Sequence, residues 1–149
     1  NLTLKSDDIL FIDFGPIFEE WEADFGRTFV IGNDPYKLKL KNDIEKAWHE
    51  GKQFFESHER ITGSQLYHHC KKLAIDHGWT FGGEIAGHII GNYPHEKLEN
   101  EDKRNYIHSL NHVEMHEKNL KGEKRNWILE IHFVDKKKEI GGFFEQLLT

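Results

Sequence analysis

Apolar side chains form two short runs near the N-terminus. Residues 8–14 and 24–31 are rich in Ile, Phe and Val, and the turn-forming pairs Gly-Pro and Gly-Asn follow them at 15–16 and 32–33. Runs of this length, bounded by Gly, Pro and Asn, are typical of β-strands. The pattern predicts two strands that pair antiparallel as a hairpin.

The apolar spacing then changes to a helical period. An aspartate N-cap and a first-turn proline at 34–35 open a helix, and apolar residues recur at helical spacing until about residue 57. Thr62 or Ser64 can cap a second helix, which Gly78 ends. These two segments predict a helical hairpin.

Strands return at the C-terminus. Residues 127–134 form an apolar run, a charged turn follows, and residues 140–148 are apolar again, so a second β-hairpin is predicted. Glycines loosen the backbone around His88. The polar residues 97–126 predict an irregular stretch with one short helix around 102–117. Together the elements predict an α+β domain of two antiparallel hairpins with a flanking helix pair.

Length and charge narrow the class of protein. A chain of 149 residues, 37% apolar and 31% charged, is expected to form one globular domain, residues 1–149. The net charge of -6 argues against a nucleic-acid partner, because phosphate binding needs clustered Lys and Arg. No apolar stretch approaches the roughly 20 residues of a membrane span. The single cysteine, Cys70, suits a reducing compartment and a buried structural role, so a cytoplasmic protein is predicted.

Five potential metal ligands lie on or beside the predicted strands. A hairpin would bring Asp13 and Asp24 together, and two carboxylates in a cleft repel each other unless a cation lies between them. Glu130 lies inside an apolar run, where an ionised side chain is costly without a partner. His132 shares the strand face of Glu130 but is interpreted as an ordinary packed histidine. The order Asp, Asp, His, Glu, Glu indicates a two-metal hydrolase. The set comprises Asp13, Asp24, His88, Glu130 and Glu145.

Fragments around these residues resemble the pita-bread metallopeptidases, a family that includes methionine aminopeptidase, aminopeptidase P, prolidase and creatinase. Residues 12–15 and 24–29 look like its two-aspartate hairpin, with the same separation between the acids. Residues 87–91 are similar to its glycine-histidine segment, and residues 129–131 and 144–145 match its two closing glutamates. The resemblance covers nearly the whole chain and implies the pita-bread fold.

A ligand set for two divalent metal ions, Mn, Co, Zn or Fe, is also implied by the resemblance. Asp13 would chelate one metal, and Asp24 and Glu145 would bridge both. His88 and Glu130 would complete the second. Carboxylate and imidazole ligands suit these ions better than an ion that prefers sulfur.

The resemblance further implies a peptide substrate and a mechanism. A hydroxide that bridges the two metals would attack the peptide carbonyl. Glu130 would shuttle the proton as a catalytic residue. His95, in a Pro-His-Glu segment, would stabilise the tetrahedral intermediate or hold the substrate.

Residues beside the ligands bear on substrate preference. Arg27 and Thr28 resemble aminopeptidase P, prolidase and creatinase more than methionine aminopeptidases, so an Xaa-Pro aminopeptidase or a prolidase-like enzyme is predicted. Ile131, Phe143 and Glu84 stand where members often carry proline, arginine and histidine. These departures affect the prediction of specificity more than that of metal binding.

The start of the chain departs from the family more strongly. Family members carry an upstream half-domain that lines the substrate pocket, whereas this chain starts at the first ligand hairpin. We therefore expect the C-terminal portion of a pita-bread domain, shortened at its N-terminus. Apolar helix faces left uncovered could be covered by a second copy, so a homodimer is an expectation to test.

Two rival hypotheses stay open. His108, His112 and His116 are spaced four apart and superficially resemble a zincin helix, but Val113 stands where that motif needs glutamate. The other rival is a non-catalytic peptide-binding module or an inactive fragment of the same fold. Relatives of that kind typically lose ligands, whereas this chain keeps all five.

Overall fold

The N-terminal apolar runs form the predicted antiparallel hairpin. The first four strands are β1 (Ile9–Phe14), β2 (Ile17–Phe18), β3 (Trp21–Glu22) and β4 (Phe25–Val30). β1 pairs with β4 in a register that sets Asp13 opposite Gly26. β2 and β3 form a smaller hairpin between them, which the apolar pattern did not predict. The computed structural model describes residues 3–91, 103–118 and 122–149.

Two helices follow with the predicted caps. α1 (Pro35–Glu56) begins after Asp34, whose carboxylate accepts the backbone N–H groups of the first turn, and α2 (Gly63–Asp76) begins after Thr62. Thr62 and Gln65 form a reciprocal capping box, in which each side chain accepts the other residue's backbone N–H. The predictions of both helices are confirmed. Among the described residues, neither these helices nor any other is long and apolar enough to cross a membrane.

The C-terminal strands complete one antiparallel sheet, whose strands differ in length. The remaining strands are β5 (Thr80–Phe81), β6 (Ile89–Ile90), β7 (Asn126–Asp135) and β8 (Ile140–Leu147). β7 and β8 form the predicted hairpin, and the sheet runs in the order β1-β4-β8-β7-β5, with β6 paired to β7. The two long hairpins are joined because β4 pairs with β8, where Gly26 lies opposite Glu145.

The helices cover one face of this sheet. Trp48 of α1 is buried, donates its indole N–H to the carbonyl oxygen of Leu129 at 2.9 Å, and packs against the ring of Phe144. Side chains alternate between the faces of a strand, so the neighbours Glu130 and Glu145 face away from the helices. Cys70 of α2 is buried in the same core, and burial raises the pKa of its thiol to about 12, which agrees with a structural role.

The predicted short helix around 102–117 is wrong for the part of it that is described. Residues 103–118 contain only a 3-10 turn, Lys103–Asn105. Asn111 donates its side-chain amide to the carbonyl oxygens of Arg104 and Tyr106, and its own backbone carbonyl accepts the N–H of Ser64. Polar side chains that bind nearby backbone in this way compete with helical hydrogen bonds.

The hairpins at the N-terminal edge of the sheet expose many large apolar side chains. β1 is the last strand on this side of the sheet within the described part of the chain. Phe18, at the tip of the small hairpin, is 75% exposed. Other exposed side chains of this region are Phe11, Ile12, Phe14, Ile17, Trp21, Phe25 and Phe29.

Candidate metal centre

One transverse row of the sheet carries three of the five predicted ligands. Asp13 lies opposite Gly26, Gly26 lies opposite Glu145, and Glu145 lies opposite Glu130. Residues paired across antiparallel strands project from the same face. The three carboxyl groups therefore share the face that the helices leave open.

The absence of a side chain at Gly26 leaves room for the neighbouring side chains of Phe143 and Glu145. A Cβ atom there would collide with the ring of Phe143 and would come within 2.9 Å of Glu145 Cβ. The ring of Phe143 lies over the glycine and also contacts Phe11, with centroids 5.5 Å apart. The missing side chain of Gly26 thus allows an aromatic wall beside the acidic row.

His88 reaches the row from a segment held along β7. The backbone N–H of Ile128 donates to the carbonyl oxygen of His88 at 2.8 Å, and that of Glu130 donates to Ala86 at 3.0 Å. Gly87 between them has φ of 130°, and a Cβ there would collide with the carbonyl oxygen of Ile128. This close approach requires glycine, and it fixes where the next residue points.

The His88 ring has a defined orientation. Its Nδ1–H donates to the carbonyl oxygen of Ile89 at 2.8 Å. Its Nε2 lies 3.2 Å from Asp24 Oδ2 and 3.6 Å from Glu130 Oε1. A histidine that binds a metal usually donates its other ring nitrogen in this manner. The ring is therefore preset to offer Nε2 to the carboxyl cluster.

Ligand atoms of Asp24, His88 and Glu145 lie within 4.8 Å of one another, close enough for one ion. Glu130 joins them through its contact with His88. Asp13 is more exposed, and burial together with the charges of Asp24 and Glu130 raises the pKa of its carboxyl. Three of the five predicted side chains thus converge, Glu130 contacts one of them, and Asp13 lies at the outer edge of the same sheet face.

Among these carboxyl groups, Glu145 has the environment least favourable to the ionised form. Its side chain is 3% exposed, and burial, a hydrogen bond with Asp24 and the neighbouring negative charges raise its pKa to about 9. Its Oε2 atom is buried without a hydrogen-bond partner among the described residues. An unpartnered buried carboxyl oxygen is costly, and a cation would satisfy it. A set of carboxyl oxygens with one imidazole fits a divalent ion such as Mn, Co, Zn or Fe.

The hydrogen bond between Asp24 and His88 shifts the pKa values of both residues. Burial opposes ionisation of Asp24, but hydrogen bonds from His88 and Glu145 outweigh it and lower the pKa of Asp24. Burial alone would lower the pKa of His88, whereas the hydrogen bond to Asp24 and the nearby carboxylates raise it to about 9. Without an ion, protonation makes His88 cationic and Glu145 neutral, and both changes reduce the net negative charge of the cluster.

The other histidines of interest lie elsewhere. Asp24, His88 and Glu145 form the only metal-ligand group of three or more within residues 3–91, 103–118 and 122–149, so the zincin-like reading of residues 108–116 is not supported. His116 packs instead on the ring of Phe55. His95 lies outside the described residues, and its role stays a prediction.

His132 has a closer relation to the site than its sequence position indicated. Its Nε2 lies 2.9 Å from Glu130 Oε2. The alternation of the strand places both residues on one face, but it does not reveal which neighbour a half-exposed histidine contacts. The hydrogen bond was therefore visible only in the structure.

Comparison with known proteins identifies the family of the chain. Residues 1–124 match the family model described as metallopeptidase family M24. A search of curated protein sequences found no significant match. The chain is similar to the X-Pro aminopeptidase from Thermotoga maritima MSB8, with TM-score 0.72 and 19% identity over 98% of this chain and 40% of that one.

Two further solved structures share the fold. Methionine aminopeptidase from Rickettsia prowazekii has TM-score 0.72 and 18% identity, over 97% of this chain and 61% of that one. The N-terminal domain of FACT complex subunit SPT16 from Cicer arietinum has TM-score 0.70 and 16% identity, over 98% of this chain and 34% of that one. The chain therefore spans less than two thirds of the length of each of these structures.

Proposed function

The chain belongs to metallopeptidase family M24 and has the pita-bread fold, and from this premise we propose that it carries a dinuclear, metal-dependent peptidase centre of the Xaa-Pro type. The observation that carries the proposal is the convergence of Asp24, His88 and Glu145, with an unpartnered buried oxygen on Glu145. A buried carboxyl oxygen normally has a hydrogen-bond partner, and a cation bound by these three side chains would supply one for Glu145.

Under this proposal, all five side chains would be metal ligands. Two divalent cations would supply Lewis-acid activation of a water molecule and of the scissile carbonyl. The ions would be held by Asp24 and Glu145 as shared ligands, by Asp13, and by His88 and Glu130. His88 and Glu145, whose pKa values are both raised to about 9, would release protons on binding.

Glu130 is the side chain best placed to move a proton. Its carboxyl group is buried on the open face of β7, and its two oxygens lie near His88 and His132. A carboxyl group held on both sides can accept a proton from the attacking water and pass it to the leaving amine. His95 is retained in the proposal as the group that contacts substrate.

The preference for proline is supported by similarity and not by a substrate contact. The X-Pro aminopeptidase from Thermotoga maritima shares the fold. Arg27 packs over the rings of Phe25 and Phe144 and donates to the carbonyl oxygens of Gly26 and Glu145 at 2.7 Å. It therefore braces the β4–β8 pairing, so Arg27 supports the Xaa-Pro proposal as a family feature only.

Hydrolysis of short peptides by the full chain in Mn²⁺ tests the proposal. We expect turnover of Xaa-Pro dipeptides or tripeptides, and a loss of at least about a hundredfold in Asp24→Asn, since metal-centre catalysis supplies several kcal/mol. Turnover of methionyl peptides without Xaa-Pro turnover would overturn the proline preference. Equal activity of Asp24→Asn would overturn the metal centre.

A second candidate is a non-catalytic peptide-binding module. This candidate is favoured by the likeness of the fold to the N-terminal domain of SPT16, a protein described as a subunit of the FACT complex. Uptake of Mn²⁺ and binding of peptide without any turnover in the same assays would support the module over the enzyme.

A further inference from the structure

His132, two residues after Glu130, contacts one oxygen of the Glu130 carboxyl group, and His88 lies near the other. His132 Nε2 is 2.9 Å from Glu130 Oε2, whereas His88 Nε2 is 3.6 Å from Glu130 Oε1. The two oxygens of Glu130 therefore have different neighbours. Oε1 is the oxygen near His88, which itself contacts Asp24, and Oε2 is the oxygen that contacts His132.

Packing fixes the ring of His132 in this orientation. Its centroid is 4.8 Å from that of Phe143 and 6.0 Å from that of Phe81. Gly83 leaves room for the ring, since a Cβ there would come within 2.9 Å of His132 Cδ2. The side chain is 27% exposed, so it is held by aromatic contacts without being part of the core.

We propose that His132 is a positioning residue, which holds Glu130 Oε2 by a hydrogen bond so that Oε1 is kept toward the metal centre. The inference rests on the proposed function, because it gives Glu130 the task of a ligand. A free glutamate side chain rotates about three bonds, and one hydrogen bond to its outer oxygen removes most of that freedom before an ion arrives. Partners that orient a ligand in this way are worth about 10–100-fold in metal affinity.

Two substitutions at the same position separate the hydrogen bond from the packing. His132→Phe keeps an aromatic ring against Phe143 and Phe81 but has no donor. His132→Gln loses the ring but can place an amide nitrogen near Glu130 Oε2. His69 of α2 is a histidine outside the metal centre, and its ring stacks on that of Phe54 with centroids 3.8 Å apart. His69→Phe and His69→Gln are therefore the matched control pair.

The measurement is Mn²⁺ affinity of the full chain by titration calorimetry, with circular dichroism to verify the fold of each variant. We expect His132→Phe to weaken Mn²⁺ binding by about 10–100-fold, His132→Gln to restore most of the affinity, and both His69 variants to match the wild type. Wild-type affinity in His132→Phe, or equal losses in both His132 variants, would overturn the inference and leave the metal centre standing.

A second readout keeps the inference testable if His132→Phe fails to fold. In the wild-type chain, nitrogen-detected NMR of the histidine rings with diamagnetic Zn²⁺ should show that His132 Nε2 keeps its proton. Loss of that proton on Zn²⁺ binding would make His132 a direct ligand and would overturn the positioning role. A wild-type chain that binds neither ion would instead overturn the proposed function, and this inference with it.

Discussion

At the scale of single residues, the carboxyl group of Glu145 connects folding to the metal centre. It is buried on the sheet face opposite the helices, and its pKa is raised to about 9 from an ordinary value of 4.5. The folded chain therefore holds this proton more tightly than the unfolded chain does. Without an ion, ionising Glu145 destabilises the fold, and a bound cation removes that cost.

A pH dependence of stability follows from Glu145 in the metal-free chain. Because its folded pKa is raised, the contribution of Glu145 to stability is fully present below about pH 4.5 and is lost as the pH rises toward 9. His88, raised from 6.5 to about 9, adds a second loss only above pH 6.5. In chelator, urea unfolding between pH 4.5 and 6.5 should show a decline of about 1 kcal/mol per pH unit.

The substitution Glu145→Gln isolates this effect. The amide cannot ionise, so the decline between pH 4.5 and 6.5 should become much shallower, while stabilisation by Mn²⁺ should be lost. A wild-type curve that stays level in chelator over this range would show that Glu145 is not buried in its acid form.

Residue-scale patterns also mark the limit of prediction from sequence. Asp13 and Asp24 could be placed together because both belong to one hairpin, and Glu130 stood out as a charge within an apolar run. The contact of His132 with Glu130 and the unpartnered oxygen of Glu145 depend on rotamers and on Phe143 over Gly26. Such contacts are fixed by packing, so no spacing in the sequence reports them.

At the scale of elements, local signals determined what could be predicted. The two helices have strong caps, and the long strands have clear turns, so their bounds agree with the pattern. The small β2–β3 hairpin has two-residue strands, and its turn residues Glu19 and Glu20 have positive φ of 47° and 71°. Such turns normally use Asn and Gly, so the sequence carried no signal for it.

The joining of elements was less predictable than the elements themselves. β4 and β8 are separated by more than a hundred residues and pair through Gly26 and Glu145. Hydrophobic periodicity identifies strands but not their partners across such a distance. The resemblance of short fragments to a known family, and not the apolar pattern, placed the two hairpins in one site.

The segment that carries His88 offers an element-scale prediction. Gly87→Ala would force its new methyl group onto the carbonyl oxygen of Ile128 and so push the segment away from β7. We expect a loss of about 2 kcal/mol or more in the free energy of unfolding and a weaker Mn²⁺ affinity, measured by urea titration and calorimetry.

Gly91→Ala is the control for this change. A Cβ at Gly91 meets no atom of the described residues within 4 Å, so that variant should unfold within about 0.5 kcal/mol of the wild type. Equal behaviour of the two alanine variants would contradict the requirement for glycine at position 87.

At the scale of the whole molecule, the chain carries all five candidate ligands, and within its described residues β1 is an edge strand of the sheet. It spans 40% of the X-Pro aminopeptidase from Thermotoga maritima and exposes apolar side chains along β1, β2 and β3. Because all five predicted ligands belong to this chain, metal binding does not need residues from another. The homodimer, which was expected from apolar helix faces, stays a prediction that light scattering in solution would test.

Anomalous diffraction at the manganese edge tests the central claim most directly, since it locates ions without assuming their ligands. Crystals of the chain grown in Mn²⁺ should show two anomalous peaks, both within coordination distance of carboxyl oxygens from the acidic row and one beside His88 Nε2. A well-diffracting crystal in saturating Mn²⁺ with no anomalous density between Asp24, His88 and Glu145 would contradict the account.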